Sequence, residues 1–458
     1  MPSSTASIAA TAFAPAADTL DTVIDLIARE GVRSGSAVDE TTRRDALALF
    51  ADLPVPGGRP GRGWRYDYDN VPFDDLQWMT GRLGIATMPL PAPSSDPAID
   101  RPALETDNAG GLVHLGATLL EPARALPVDS RIIVLPLADA SRDHPKLVAQ
   151  THLKIAGWRS DRFAALATAF QNCGAFVYVP DGVVLDAPIQ LVFTSSEAVR
   201  AAVFPHIVVV LGAGARATVM ERYAGEGDAL VCGIVEAHVG AGAQLDFVTV
   251  QQADPEARIF STRAARCETG ATMRWHLAEL GGALARSVID TRLAGPGANA
   301  EASALFFTGG MQHVELTTTC DHAVGQTTSN TVVRSAATDR GQGRFFGNIT
   351  IRAQAHGSDA SLRDDALLLS KHAHIDSVPA LEIAANDVKA FHGATVGSLD
   401  EDTLFYALSR GIARADALRM IALGFFEPVI ARFPGDRLRD EIRTALDRKI
   451  DEATEIDA

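Results

Sequence analysis

The chain has 458 residues, 47% of them hydrophobic and 21% charged, which supplies a large core and argues against extensive disorder. Its net charge of -16 disfavours nucleic acid and anionic membrane as partners, because both are polyanions. Four widely spaced cysteines, Cys173, Cys232, Cys267 and Cys320, form no C-x-x-C pair, which excludes zinc-ribbon and ferredoxin-type motifs and points to small buried thiols in a reducing cytoplasm.

The opening MPSSTASIAATAFAPAAD lacks a basic n-region and a long apolar run, so it reads as a loose tail rather than a signal peptide. No stretch is long enough to span a bilayer. DTLDTVIDLIAREG and DETTRRDALALFADLP combine acidic starts, apolar residues at helical spacing and a Gly or Pro stop, which predicts two helices. PVPGGRPGRGWRYDY is a loop or linker in which Trp64 and Tyr66 serve as docking anchors. SDRFAALATAFQNCG predicts a further helix, capped by Ser160 and stopped by Gly174. Residues 1–175 are therefore expected to form an N-terminal, mostly helical region.

From about residue 175 the chain breaks into short alternating runs rich in Val, Ala, Thr and Gly. A Gly-Ala step recurs at Gly214, Gly242, Gly270 and Gly297, at spacings of 28, 28 and 27 residues. After each step the apolar or small residues alternate: Ala215, Ala217, Val219; Ala243, Leu245, Phe247; Ala271, Met273, Trp275; Ala298, Ala300, Ala302. Alternation puts them on one strand face and turns Arg216, Thr218, Gln244, Asp246, Thr272, Arg274, Asn299 and Glu301 to the other. A turn and strand repeating at this period predict a parallel β-helix core over 176–397, its coils stacked about 4.8 Å apart. The competing fold is an antiparallel sandwich. Ser398 and Glu401 then read as a capping box opening a C-terminal helical domain, 398–458. Its helices run to Gly411, over ADALRMIALG, and over DRLRDEIRTALDRKI, where Leu438, Ile442, Leu446 and Ile450 form an apolar stripe.

Catalytic signatures are missing: there is no GK[ST] phosphate loop, not even at Gly393–Gly397, and no G-x-S-x-G elbow. An alternative remains a stand-alone β-helix enzyme acting on carbohydrate or acyl substrates, although such lyases carry export signals and the acyltransferase solenoids a hexapeptide period. His372 and His374 in KHAHID alternate onto one strand face and read as an outward polar pair or as two ligands, and His356 as a turn residue. His392 differs, since it lies on the last coil, where an unpaired edge is open to a partner.

Across residues 155–430 the segments GWRSDRFAALATAFQNCGAFVYVPDGVVLDAPIQL, ERYAG, ELGGALARS, FFGNITI, ALLLS, PALEI, FHGATVG, LFYALSRGI and ALGFF resemble, in order, the SufB/SufD family of iron-sulfur cluster assembly scaffolds. HGATVG is similar to the SufD side rather than to the HEATTS of SufB. The resemblance implies a right-handed parallel β-helix between helical ends, in a subunit that is not itself an enzyme. It implies pairing with a SufB-like subunit and docking of a SufC-like ABC ATPase on the C-terminal helices, so that ATP enters only through that partner. A homodimeric scaffold without SufB is a further alternative. The resemblance also implies that His392 meets iron or a transient iron-sulfur cluster shared with SufB thiolate and carboxylate groups. Tyr406, Arg410, Gly411 and Phe425 are the positions it assigns to the ATPase surface. One departure stands out: where SufD sequences commonly read DVKCSHGATVG, this chain has Ala390 and Phe391 before His392, so it lacks that thiol. Imidazole nitrogen is still a competent iron ligand.

Overall fold

The computed structural model describes residues 37–53, 108–116, 118–121, 129–195 and 202–453. The helix expected over 18–31 and the anchors Trp64 and Tyr66 lie outside the described residues.

The mainly β parallel solenoid expected from the repeat is the fold adopted. One sheet runs from Ile189–Ser195 through Arg216–Gly225, Gln244–Gln251, Thr272–Glu279, Asn299–Thr308, Thr328–Ala337 and Asp359–Leu368 to Lys389–Ser398. The other runs from Cys173–Val179 through Pro205–Leu211, Leu230–Val239, Arg258–Cys267, Leu284–Leu293, His313–His322 and Gln342–Ile351 to His374–Ile383. Each coil contributes one strand to each sheet, which makes eight coils. Register is strict: Ala217, Leu245, Met273 and Ala300 stand one above another, as do Val219, Phe247, Trp275 and Ala302. All of these are buried, in one core cluster that fills the space between the sheets.

The Gly-Ala steps are the corners. Gly214, Gly242, Gly270 and Gly297 have φ of +66°, +66°, +65° and +74°, and each amide donates to a carbonyl of the next coil's corner, at 2.8, 2.8, 2.9 and 3.1 Å. The column is longer than the sequence repeat. It begins at Gly182 (φ +70°), whose amide donates to Ala213, and it continues through Gln326 (φ +61°) to Gly357 (φ +71°). Gln326 thus occupies a left-handed corner that costs an L-residue about 1–2 kcal/mol. Gln326→Gly is expected to raise the unfolding free energy by about 1 kcal/mol in urea titration; a loss would mean that the glutamine side chain does more than occupy the corner.

Each sheet's outer face carries its own helical cover. Over the second sheet lie α1 (Glu40–Asp52), α2 (Leu137–Asp143), α3 (Pro145–Thr151) and α4 (Arg162–Phe170). Phe163 of α4 stacks on Phe260 at 4.2 Å, and buried Arg43 of α1 donates to the Ala169 and Gln171 carbonyls at the end of α4. Below α3, on the outer side of the second sheet, Glu236 is completely buried. It accepts the amides of Leu153, Ile155 and Ala156 at 2.5, 2.6 and 2.9 Å and pairs with His206 Nε2 at 2.9 Å.

Over the first sheet lie α5 (Glu401–Ser409), α6 (Arg414–Ile430) and α7 (Asp436–Glu452). Their apolar sides, including the predicted stripe Leu438, Ile442, Leu446 and Ile450, bury Met220, Val248, Leu280, Leu305, Phe307 and Leu367 on the outer face of that sheet. Arg222 grips Glu441 at 2.5 and 2.9 Å, and Lys449 donates to the Leu280 carbonyl and Gln312 Oε1 at 2.7 and 2.6 Å. Burial at that place lowers the Lys449 ammonium to about 8.

The interior is not wholly apolar. Arg263, 1% exposed, reaches Glu221 Oε2 at 2.8 Å and Ser261 Oγ at 2.6 Å, while Tyr223 and Thr249 also donate to Glu221, at 2.6 and 2.8 Å. Ser287 donates to Glu279 at 2.5 Å.

The region before 176, expected to be mostly helical, also holds strands: Gly110–Leu115 and Thr118–Glu121 extend the first sheet and Ile133–Pro136 the second, and Cys173–Val179 begins before 176. Two local expectations need correction. Asp161, not Ser160, caps α4, accepting the Ala164 amide at 2.9 Å, whereas Ser160 Oγ turns back to Gly157. Asp400, not Ser398, caps α5 through the Asp402 amide, because Ser398 is still paired with Leu368 in the last strand.

Candidate functional site

The two strands of the final coil, His374–Ile383 and Lys389–Ser398, end their sheets. His392 is in register with Leu362, a core residue, and belongs to the column Ala390, His392, Ala394, Val396 that continues the inward face. In lower coils that column is sealed by the next strand. Here His392 and Val396 are exposed, so the inward face becomes an open mouth. Phe391 and Val396 stand 58% and 47% exposed on opposite faces of the same strand, apolar surface that costs free energy in water.

On the outer side, Thr395 donates to Asp365 at 2.5 Å, tying the last strand to the one below, and Arg363, from the same strand as Asp365, donates to it at 3.0 Å. Burial pushes the Asp365 carboxyl up, but these bonds and the neighbouring guanidinium charges outweigh it and hold it low. On the inner side Asp364 is fully buried and turns into the solenoid between Leu362 and Ala366. Neither of its oxygens has a hydrogen-bond partner. Burial raises its carboxyl to about 7, with the Ser377 hydroxyl pulling the other way and the Asp365 charge adding to the rise. Sequence reading missed Asp364, although the alternation of LRDDALLL places an aspartate on the inward column.

His372 and His374 do not share a strand: His372 is in the preceding turn, and His374, exposed, pairs with Asp376 at 3.0 Å. His356 is in a turn. All four cysteines are buried with free thiols, and burial pushes every thiol up, that of Cys320 to about 12, so none is a ready thiolate. Among the described residues no three His, Cys, Asp or Glu side chains gather as a metal site.

On the C-terminal helices Tyr406 is 60% exposed, with the Arg410 guanidinium over its ring at 5.1 Å and bonded to its hydroxyl at 3.1 Å. Gly411, φ +82°, ends that helix. Phe405 and Met420 are also exposed, at 71% and 60%. Phe425 is placed differently: it packs edge-on against Phe426 at 5.3 Å beneath Arg334, whose guanidinium donates to its carbonyl.

Residues 192–425 match the SufBD core domain of SUF system FeS cluster assembly, and residues 117–191 match the SufBD protein N-terminal region. The chain belongs to the SufB/SufD family. It is similar to the Bacillus subtilis (strain 168) iron-sulfur cluster assembly protein SufD, 27% identical over 425 residues, 89% of this chain and 93% of that one. It is also similar to SufB of the same strain, 26% identical over 298 residues, 64% of each chain. A SufBD family protein of Mycobacterium leprae (strain TN) is 31% identical over 263 residues, 57% of this chain but 30% of the relative's length. The chain thus spans only about a third of the length of that longer SufBD relative. The family's core model is that of SUF system FeS cluster assembly.

Proposed function

We propose that the chain is a SufD-type, non-catalytic subunit that pairs with a SufB-like subunit along its last coil and presents His392 to iron or a nascent cluster at the seam. The observation that carries this reading is the terminal strand Lys389–Ser398, exposed along nearly all its length, with an imidazole on a column that elsewhere is covered by another coil. An unpaired strand edge of this length is a template for a second chain. With its thiols buried, the chain brings nitrogen and carboxylate but no thiolate, so the partner has to supply the sulfur ligands. A SufC-like ATPase docks on the exposed Phe405, Tyr406, Arg410 and Met420 surface, and ATP acts only through it. Phe425 supports that surface from below. Four free cysteines fit a reducing, cytoplasmic setting.

The test is co-expression with SufB- and SufC-type proteins of the same source. A stable complex is expected, without ATP hydrolysis by the isolated chain. His392→Ala is expected to leave assembly intact and to strip the complex of most of its iron. Persistent self-association in the partners' presence, or unchanged iron after His392→Ala, would defeat the reading.

A further inference from the structure

Among the described residues, Asp364 is the buried carboxylate with neither oxygen in a regular hydrogen bond. Glu221 is held by Tyr223, Thr249 and Arg263, Glu236 by three amides and His206, and Asp365 by Thr395 and Arg363. Asp364, equally buried, is faced only by the Ser377 hydroxyl of the other sheet, which pulls its carboxyl down but stands outside hydrogen-bond geometry, so neither of its oxygens nor that hydroxyl makes a regular hydrogen bond. Buried polar groups are normally satisfied, so an exception at the end of the solenoid calls for a ligand.

Its position along the column suggests which. Asp364 is in register with Ala394, and His392 lies two residues back on the same face of the last strand. Strand spacing and rise put the Cα atoms of Asp364 and His392 about 8 Å apart, within reach of an imidazole and a carboxylate sharing one ion. Ser377 comes from the last strand of the other sheet, in register with the interior residue Phe345. Three strands of the last two coils therefore bring a nitrogen, a carboxylate and a hydroxyl to the open mouth, and the residue above Asp364 is a small, exposed alanine. Nitrogen with carboxylate suits a divalent first-row metal, and the remaining positions stay open to water or a partner.

We propose that Asp364 and His392 bind one divalent iron ion, the substrate of assembly, at the mouth of the solenoid. This rests on the reading of His392 as the metal-side residue and adds a ligand from within the chain.

The experiment titrates the full-length chain anaerobically with Co(II), read by its visible absorption and by the rise in melting temperature. The wild-type chain is expected to bind one Co(II). Asp364→Asn, the same shape without the charge, is expected to bind about tenfold or more weakly, His392→Ala likewise, and Asp364→Glu to retain binding. Normal affinity in Asp364→Asn with loss in His392→Ala would overturn the Asp364 assignment while leaving the role of His392 standing. No Co(II) binding by the wild-type chain would overturn the two-residue site, whereas the role of His392 in the assembled complex is judged separately by its iron content. Should Asp364→Asn fail to fold, the comparison of Asp364→Glu with His392→Ala decides, and loss of binding in Asp364→Glu with His392→Ala unaffected would overturn the pairing.

Discussion

Arg263→Met is expected to lower the unfolding free energy by about 3–5 kcal/mol, because it leaves a buried carboxylate without its counter-charge. Arg263 is enclosed by the solenoid, and Glu221, fully buried beside it, would keep only the Tyr223 and Thr249 hydroxyls. Its Nη1 bond to Ser261 would be lost as well. Methionine fills much of the same volume, so the loss reports charge rather than a cavity. The control is Arg263→Met combined with Glu221→Gln, which removes both charges and is expected to recover a large part of the loss, since replacing a buried pair by less polar groups is often close to neutral. Urea unfolding of the two single variants and the double variant closes the cycle. A single variant within about 1 kcal/mol of wild type, with no coupling to Glu221, would show that the interior network does not hold the coils together.

The second large effect is expected at Glu236. Glu236→Ala removes the acceptor of three backbone amides and the partner of His206 at once, again a loss of about 3–5 kcal/mol. The loss should be local as well as global: the amides of Leu153, Ile155 and Ala156 would exchange faster, because that acceptor ties the segment after α3 to the solenoid. Its pH dependence has a definite sign. Burial pushes the Glu236 carboxyl up, but the His206 bond and charge and the Ile155 and Ala156 amides outweigh burial and leave it below its ordinary 4.5. The stabilisation is therefore complete above about 4.5 and fades as pH falls through the lower folded value, where wild type and Glu236→Ala should converge. A constant gap between them down to low pH would refute the carboxylate's part in the latch.

Much of the solenoid was legible because its rule is short: alternate residues point inward, and a left-handed corner returns each coil. Four corners announced themselves as Gly-Ala steps. Gln326 concealed a further corner by adopting the same conformation without being glycine, and Gly182 concealed another because the segment from there to Gly214 is 32 residues long. The two misplaced caps share a cause. Ser160 and Ser398 each have an aspartate one or two residues later, and which oxygen meets the amide depends on where the preceding backbone is already committed, as Ser398 is to Leu368. The early strands Gly110–Leu115 and Ile133–Pro136 carry no corner step, so nothing local marked them as part of the sheets. At the candidate site the motif offered His392 as a candidate through its place on the last coil. Asp364 was not legible, because an aspartate on an alternating strand looks the same whether or not a donor meets it, and that is decided by the opposite sheet.

The helices over the first sheet have a consequence for how the molecule comes apart. A bare stack of coils touches only nearest neighbours and is free to unzip rung by rung from an uncovered end. Here α6 and α7 act as a splint laid across the rungs, gripping Arg222 near one end and burying Leu367 near the other. Fraying from the mouth would have to peel that splint from every rung it crosses, so the array should melt as a single cooperative block with its exposed last rung held rigid.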